Sequence, residues 1–165
     1  MEQHYGKSLN KIIRREVFQP LCLEDMHYVT KLSKQQFRQA ATGHNDDGSP
    51  LIGSYQRYVG QAAAGLWSSA IDYANFTRAI LEIQAGKTNS ILRPETVQMA
   101  LKRYYGHRSL IFHLGEEDRP YWGGNVQRFY FQMQAKPEEI WVAVAVMNRD
   151  LNWRLGGPTV WQVGR

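Results

Sequence analysis

The chain has 165 residues, 43% of them hydrophobic, with only 14 Gly and 6 Pro. That is about one domain's worth of chain with enough apolar side chains to bury a core, which excludes disordered, collagen-like and low-complexity architectures. Lys and Arg number 20 against 15 Asp and Glu, a formal charge of +5. The cations are dispersed in short groups (Lys11, Arg14, Arg15; Lys31, Lys34, Arg38; Lys102, Arg103, Arg108) with no nucleic-acid motif beside them, so solvated helix faces are expected and a nucleic-acid partner is not.

From Lys7 to Phe18 the apolar residues Leu9, Ile12, Ile13 and Val17 recur at three-to-four spacing, and Pro20 closes the segment, which predicts an amphipathic helix. Periodicity is weak over 22–58, and residues 40–55 (AATGHNDDGSPLIGSY) predict a long exposed loop. The next helix starts with Ser69 three residues before Asp72, the spacing of a capping box. It presents Tyr73, Phe76, Ile80 and Ile83 on one face and ends at Gly86. A third begins at Pro94, with Val97, Ala100, Leu101 and Tyr104 expected on its buried side.

Beyond Tyr105 the period shortens to two. Phe129, Phe131 and Met133 alternate with Arg128, Tyr130 and Gln132, and Ile140 to Met147 is a continuous β-rich run after a turn at Pro137, Glu138 and Glu139. A further strand is expected within 105–114. The expectation is a single α+β domain, helices followed by an antiparallel sheet: a helical part over about 1–104, a sheet part over about 105–150 and a short Gly-rich tail over 151–165.

Cys22 stands alone, so neither an intramolecular disulfide nor a Cys-rich zinc site is expected. The longest apolar run, Ile140 to Met147, is far below the roughly twenty residues of a membrane span, and no signal peptide is recognised. No membrane association is expected, and the cytoplasm is the default compartment. Dinucleotide and P-loop signatures are absent, and no cofactor is expected. Asn45, Asp46, Asp47 and Gly48 imitate a calcium loop, but an EF-hand register would place Gly43 at the first ligand, so the bland reading is an Asp-Gly turn. His4, His27, His44, His107 and His113 show no metal-ligand spacing, and no metal site is expected.

Several segments taken together resemble the C-terminal half of serine hydrolases related to class C β-lactamases and penicillin-binding proteins. Residues 6–26 are similar to the helix and Pro-Leu-Gly-Met turn that follow that family's Tyr-x-Asn motif, with Cys22 in place of Gly. Residues 62–76 (AAAGLWSSAIDYANF) resemble its Ala-Gly-Gly-Leu-x-Ser-Thr-x-x-Asp-Leu-x-x-Phe pattern, and ILRPETVQMAL its Leu-Ser-Pro-Glu helix. The resemblance implies part of the β-lactamase/transpeptidase-like fold. It also implies that Tyr121-Trp122-Gly123-Gly124-Asn125 is the strand bordering the active site, with Trp122 where the family carries His or Lys.

Gly123 and Gly124 would keep a slim backbone for a substrate, and the Asn125 N–H would fall where such enzymes place an oxyanion donor, a group worth about 3 kcal/mol of barrier. The family's Ser-x-x-Lys and Tyr-x-Asn precede the segment that begins at Gly6, so the resemblance implies a truncated relative without its nucleophile. Ser8 and Lys11 imitate the first motif and Tyr73 with Asn75 the second; a helix start and a buried helix face are the expected roles.

A binding pocket built from Trp67, Tyr121, Trp122 and Asn125, with His44 in the nearby loop, is expected to take a small molecule. Trp141 is expected in the core. The sheet, lacking strands and a covering helix, is expected to be completed by a homodimer or a complementing chain. Three functions are consistent with these features: a non-catalytic relative acting through binding or assembly; a hydrolase of esters, amides or β-lactams completed by another chain; and a basic module for nucleic acid.

Overall fold

In the computed structural model the α-helices lie before Lys102 and the four-stranded sheet after it, with one small two-stranded sheet among the helices. The structure describes residues 1–53, 55, 60–88, 90–126 and 128–149. The tail over 151–165, including Trp153 and Trp161, lies outside the described residues, as does part of the weakly periodic stretch over 22–58.

A short helix α1 (Glu2–Tyr5) ends on Gly6 in the left-handed conformation (φ 58°), which costs a residue without Cβ little. The helix predicted over 7–18 forms as α2 (Leu9–Ile13) and runs on as a π-helical turn over Arg14–Phe18. Ser8 occupies the N-cap position without a capping bond; the Leu9 N–H bonds Glu2 Oε1 at 2.5 Å instead. Phe18 is buried with Leu23 and Met26 in a small core of its own.

Two elements then appear that periodicity does not disclose: β1 (His27–Tyr28) and α3 (Lys34–Gln39). Six residues make fewer than two turns, too few for a pattern. The signal that does specify α3 is its capping box, in which Ser33 Oγ accepts from the Gln36 N–H while Gln36 Oε1 accepts from the Ser33 N–H.

After α4 (Gln61–Ala64), Gly65 turns the chain where a Cβ would stand 2.6 Å from the Gln61 carbonyl oxygen. Then β2 (Leu66–Trp67) pairs antiparallel with β1.

Helix α5 (Ala70–Gln84) starts where Ser69 predicts, its Oγ accepting from the Asp72 N–H at 3.1 Å, and Gly86 follows it at φ 71°. The reciprocal half of the box is replaced. The Asp72 carboxylate accepts from the Asp25 N–H at 2.7 Å, tying α5 to the segment after Phe18.

Helix α6 (Pro94–Leu101) opens on Pro94 and buries Val97 and Leu101, as its pattern requires. Tyr104 corrects the expectation. It lies past the helix end, 52% exposed, with its hydroxyl donating to the Met99 carbonyl.

The sheet is antiparallel in the order β3 (His113–Leu114), β4 (Pro120–Val126), β5 (Phe129–Lys136), β6 (Trp141–Met147). The strand expected within 105–114 is confined to its last two residues. Before it the chain turns, because Arg103 reaches across to Asp118 Oδ1 and the carbonyls of Gly106 and Gly115, each at 2.7 Å, and holds the segment folded back.

Phe131, Met133 and Ala135 on β5 and Val142 and Val144 on β6 pack against α5 and α6. Ile83, Val97 and Met133 have no exposed surface, and each such side chain contributes roughly 1.5–3 kcal/mol of burial. Trp141, expected in this core, is half-buried on the opposite face with Lys136 Nζ 5.7 Å from its ring centroid. Pro137–Glu139 makes the predicted turn, as a single 3₁₀ turn before Ile140 (φ 50°).

Candidate functional site

Between the helical segment and the sheet lies an open groove of about 1380 Å³. Its wall is an aromatic ladder running from helices to sheet. Tyr55 meets Trp67 edge-on at 5.0 Å, Trp67 meets Phe129 at 6.1 Å, and Tyr73 of α5 meets Phe131 of β5 at 4.4 Å. At one end the loop after α3 is tied to the sheet. The Arg128 guanidinium pairs with Asp46 at 2.6 Å, His44 N–H bonds the Asn148 carbonyl at 2.8 Å, and Asn148 Nδ2 donates to Thr42 O at 2.9 Å.

The structure brings together Trp67, Trp122, Gly123, Gly124 and Tyr73, all of which line this groove. Tyr121, Asn125 and His44 do not line it. Tyr121 instead stacks its ring on His113 and His107, at 5.3 and 6.5 Å. His44 serves the loop's anchorage to the sheet. Ser8 and Lys11 are exposed on α2 and do not line the groove.

Strand β4 presents its slim part here. A Cβ on Gly124 would meet nothing within 4 Å, whereas one on Gly123 would stand 3.2 Å from the Phe131 carbonyl oxygen. Because β3 covers only Pro120 and Tyr121, the second edge of β4 from Trp122 to Val126 is unpaired among the described residues.

The groove is nearly uncharged. Among the described residues lining it, Asp25 is the one carboxylate besides the neutral polar groups, and no Lys or Arg is present. Burial, and then the Arg14 charge, lower the pKa of His27. The Tyr73 phenol is pushed up to about 12, first by burial, so it stays protonated and is no general base near neutral pH.

Ser68 and Ser69 supply hydroxyls, but Ser68 Oγ donates to the Ser69 carbonyl and Ser69 Oγ caps α5. A serine nucleophile requires an adjacent base; no Lys is among the described lining residues, and the Ser68 and Ser69 hydroxyl oxygens engage backbone groups rather than His27. Among the described residues no three of His, Cys, Asp and Glu gather as cation ligands, and no helix is long and apolar enough to cross a membrane.

Beside the groove mouth the rings of His107, His113 and Trp122 stack in sequence, at 4.7 and 4.9 Å. The Nδ1 of His113 is buried without a partner, and burial, with His107 and Arg108 nearby, lowers its pKa. Motif reading misses this column, whose spacing matches no recognised motif, and the Asp72–Asp25 tie, which joins residues distant in sequence; only the Ser69 to Asp72 spacing hints at the latter.

Comparisons with known proteins converge on the same fold. A beta-lactamase family model matches residues 1–152, and the chain belongs to that family. Among solved structures, a class C beta-lactamase mutant superposes with a TM-score of 0.71 at 13% identity, over 92% of this chain and 50% of that one. The chain thus spans half the length of that structure, and the likeness at such identity is one of fold. No curated protein matches the chain.

Proposed function

We propose that this chain is a half-length relative of β-lactamase-like serine hydrolases that does not hydrolyse by itself and acts by binding. The observation that carries the reading is the groove: it keeps an exposed, glycine-slimmed edge strand beside aromatic walls, yet no Lys among its described lining residues activates either serine. Trp122, 40% exposed, stands on β4 where the family's cation would be, so the groove offers stacking and backbone hydrogen bonds rather than proton transfer. A small, largely apolar ligand with one or two amide or ester carbonyls suits that combination.

A second reading is favoured by the groove's size. Its volume and apolar lining accommodate a polypeptide segment, and a complementing chain that carries the Ser-x-x-Lys would restore a hydrolase of esters, amides or β-lactams.

The test is intact mass after incubation with a fluorophosphonate, run beside turnover of a chromogenic ester and a chromogenic cephalosporin. The chain alone is expected to stay unlabelled and inactive, while calorimetric titration with the cephalosporin gives saturable binding that Trp122→Ala weakens at least tenfold. Labelling at a single serine, Ser8 above all, would show a nucleophile and sink the reading. Affinity unchanged by Trp122→Ala would remove the groove as the binding site.

A further inference from the structure

Next to the groove, and sharing Leu32 and Tyr55 with it, α3 and the residues just before it border a second open hollow of about 580 Å³. The chemistry changes from one to the other. The groove is nearly uncharged, whereas Lys31, Lys34 and Arg38 all line the hollow and no carboxylate does among the described residues. Lys34, Phe37 and Arg38 share one face of α3, being three and four residues apart. Like charges at that spacing repel and work against a helix.

Nothing along the neighbouring chain offsets them. No Asp or Glu occurs between Asp25 and Asp46 or between Asp47 and Asp72. Asp46 is taken by Arg128, and Asp47 accepts from Ser49. Among the described residues Lys31, Lys34 and Arg38 form no ion pair. The apolar part of the hollow is aromatic and anchored. The Phe37 ring, 45% exposed, lies 6.2 Å from the Tyr55 ring, and the Tyr55 hydroxyl accepts from the Leu32 N–H at 3.0 Å. The Ser33 and Gln36 N–H groups are spent on the capping box, so the positive character here comes from side chains.

We propose that this hollow binds a small phosphate monoester carried on a planar ring, with the three cations holding the phosphate and Phe37 the ring. A phosphate monoester bears close to two negative charges above about pH 7 and offers three acceptor oxygens. Arg38 takes two of them with its planar fork, while Lys31 and Lys34 act as point charges. A carboxylate, with a single charge and two oxygens, leaves much of that set unanswered. The exposed Phe37 ring gives a planar ligand a surface to pack against. Once bound, the anion turns the repulsion between Lys34 and Arg38 into a shared attraction. The inference does not rest on what the groove binds, since only Leu32 and Tyr55 are common to both.

Calorimetric titration of the full chain with phenyl phosphate, at about pH 8 and low salt, tests it. Saturable one-to-one binding is expected, roughly tenfold or more tighter than that of inorganic phosphate, benzoate or phenol, and weakened by added sodium chloride. Lys34→Gln with Arg38→Gln should weaken it by roughly tenfold or more, and Phe37→Ala by about threefold. Lys7→Gln with Lys87→Gln, the same change of net charge away from the hollow, should leave it unaltered. The substituted side chains are all exposed, so the fold should survive. Should the Lys34 and Arg38 variant nonetheless fail to fold, Lys31→Glu takes its place with the same expected loss. The proposal is overturned by an absence of saturable binding or by equal affinity for inorganic phosphate or benzoate. It is overturned equally by an affinity that ignores the loss of these cations or of the Phe37 ring, or that falls as far in the Lys7 and Lys87 variant.

Discussion

The two sides of α5 meet the rest of the molecule on different terms. Toward α6 and the sheet, Ile80, Leu81, Ile83, Val97, Leu101, Phe112 and Met133 interlock with at most 6% of any one exposed. Toward the groove, Tyr73 and Phe76 touch Phe131 and the small Phe18–Met26 core but leave open volume beside them. Both sides are equally apolar in sequence. What separates them is how completely a second layer covers them: β5 and β6 close over the first, while the second meets only Phe131 and the Phe18–Met26 core and keeps open volume beside them.

Substitutions that remove volume sharpen the contrast most. Ile83→Ala should cost about 2–5 kcal/mol, since the closed core cannot relax into the cavity, whereas Val146→Ala at the groove end, where the side chain is already 52% exposed, should cost under about 1 kcal/mol. Urea titrations of both variants check this, and equal losses would erase the distinction.

Next in size is the polar tie between the regions. Asp72→Ala removes the acceptor of the Asp25 N–H in a part-buried site and should cost about 1–3 kcal/mol, with Asp72→Asn recovering much of it. A melt of the three proteins decides; an indifferent Asp72→Ala would mean that the α5 start is held by Ser69 alone.

The smallest effect is a pH dependence. His113 has a folded-state pKa below the ordinary 6.5, owing first to burial, so the unfolded chain takes up the proton more readily. The neutral ring's stability is present above about pH 6.5 and is lost as pH falls below it. His27 acts in the same direction. In thermal melts from neutral to acid pH, His113→Gln should flatten part of the fall in midpoint; an unchanged slope would assign it to other groups.

How much of the fold was legible in the chain depends on the range of each signal. Helices α5 and α6 were readable nearly to the residue because Ser69, Gly86 and Pro94 act on backbone a few bonds away. Strands β5 and β6 were readable because alternation and a β-branched run are local as well. Helix α3 escaped for want of length, and Tyr104 and Trp141 were misplaced because an apolar side chain has no means of stating which face its neighbours will cover.

In the site, Trp122, Gly123 and Gly124 of the β4 motif line the groove together with Trp67. Tyr121 and Asn125 do not line it; Tyr121 stacks on His113 and His107, contacts that a motif written as consecutive letters does not state. His44 became a strap to Asn148 through its backbone, an outcome no side-chain chemistry announces.

By itself, then, the sequence determined the order and kind of the longer elements, the family resemblance and the absence of a correctly placed nucleophile motif from these 165 residues, since each rests on neighbours along the chain. Only the tertiary structure decided that the aromatic residues would line an open groove, that the rings of His107, Tyr121 and Trp122 would stack around His113, and that β6 would end the sheet among the described strands. Those depend on which surfaces meet, and meeting is a property of the folded chain.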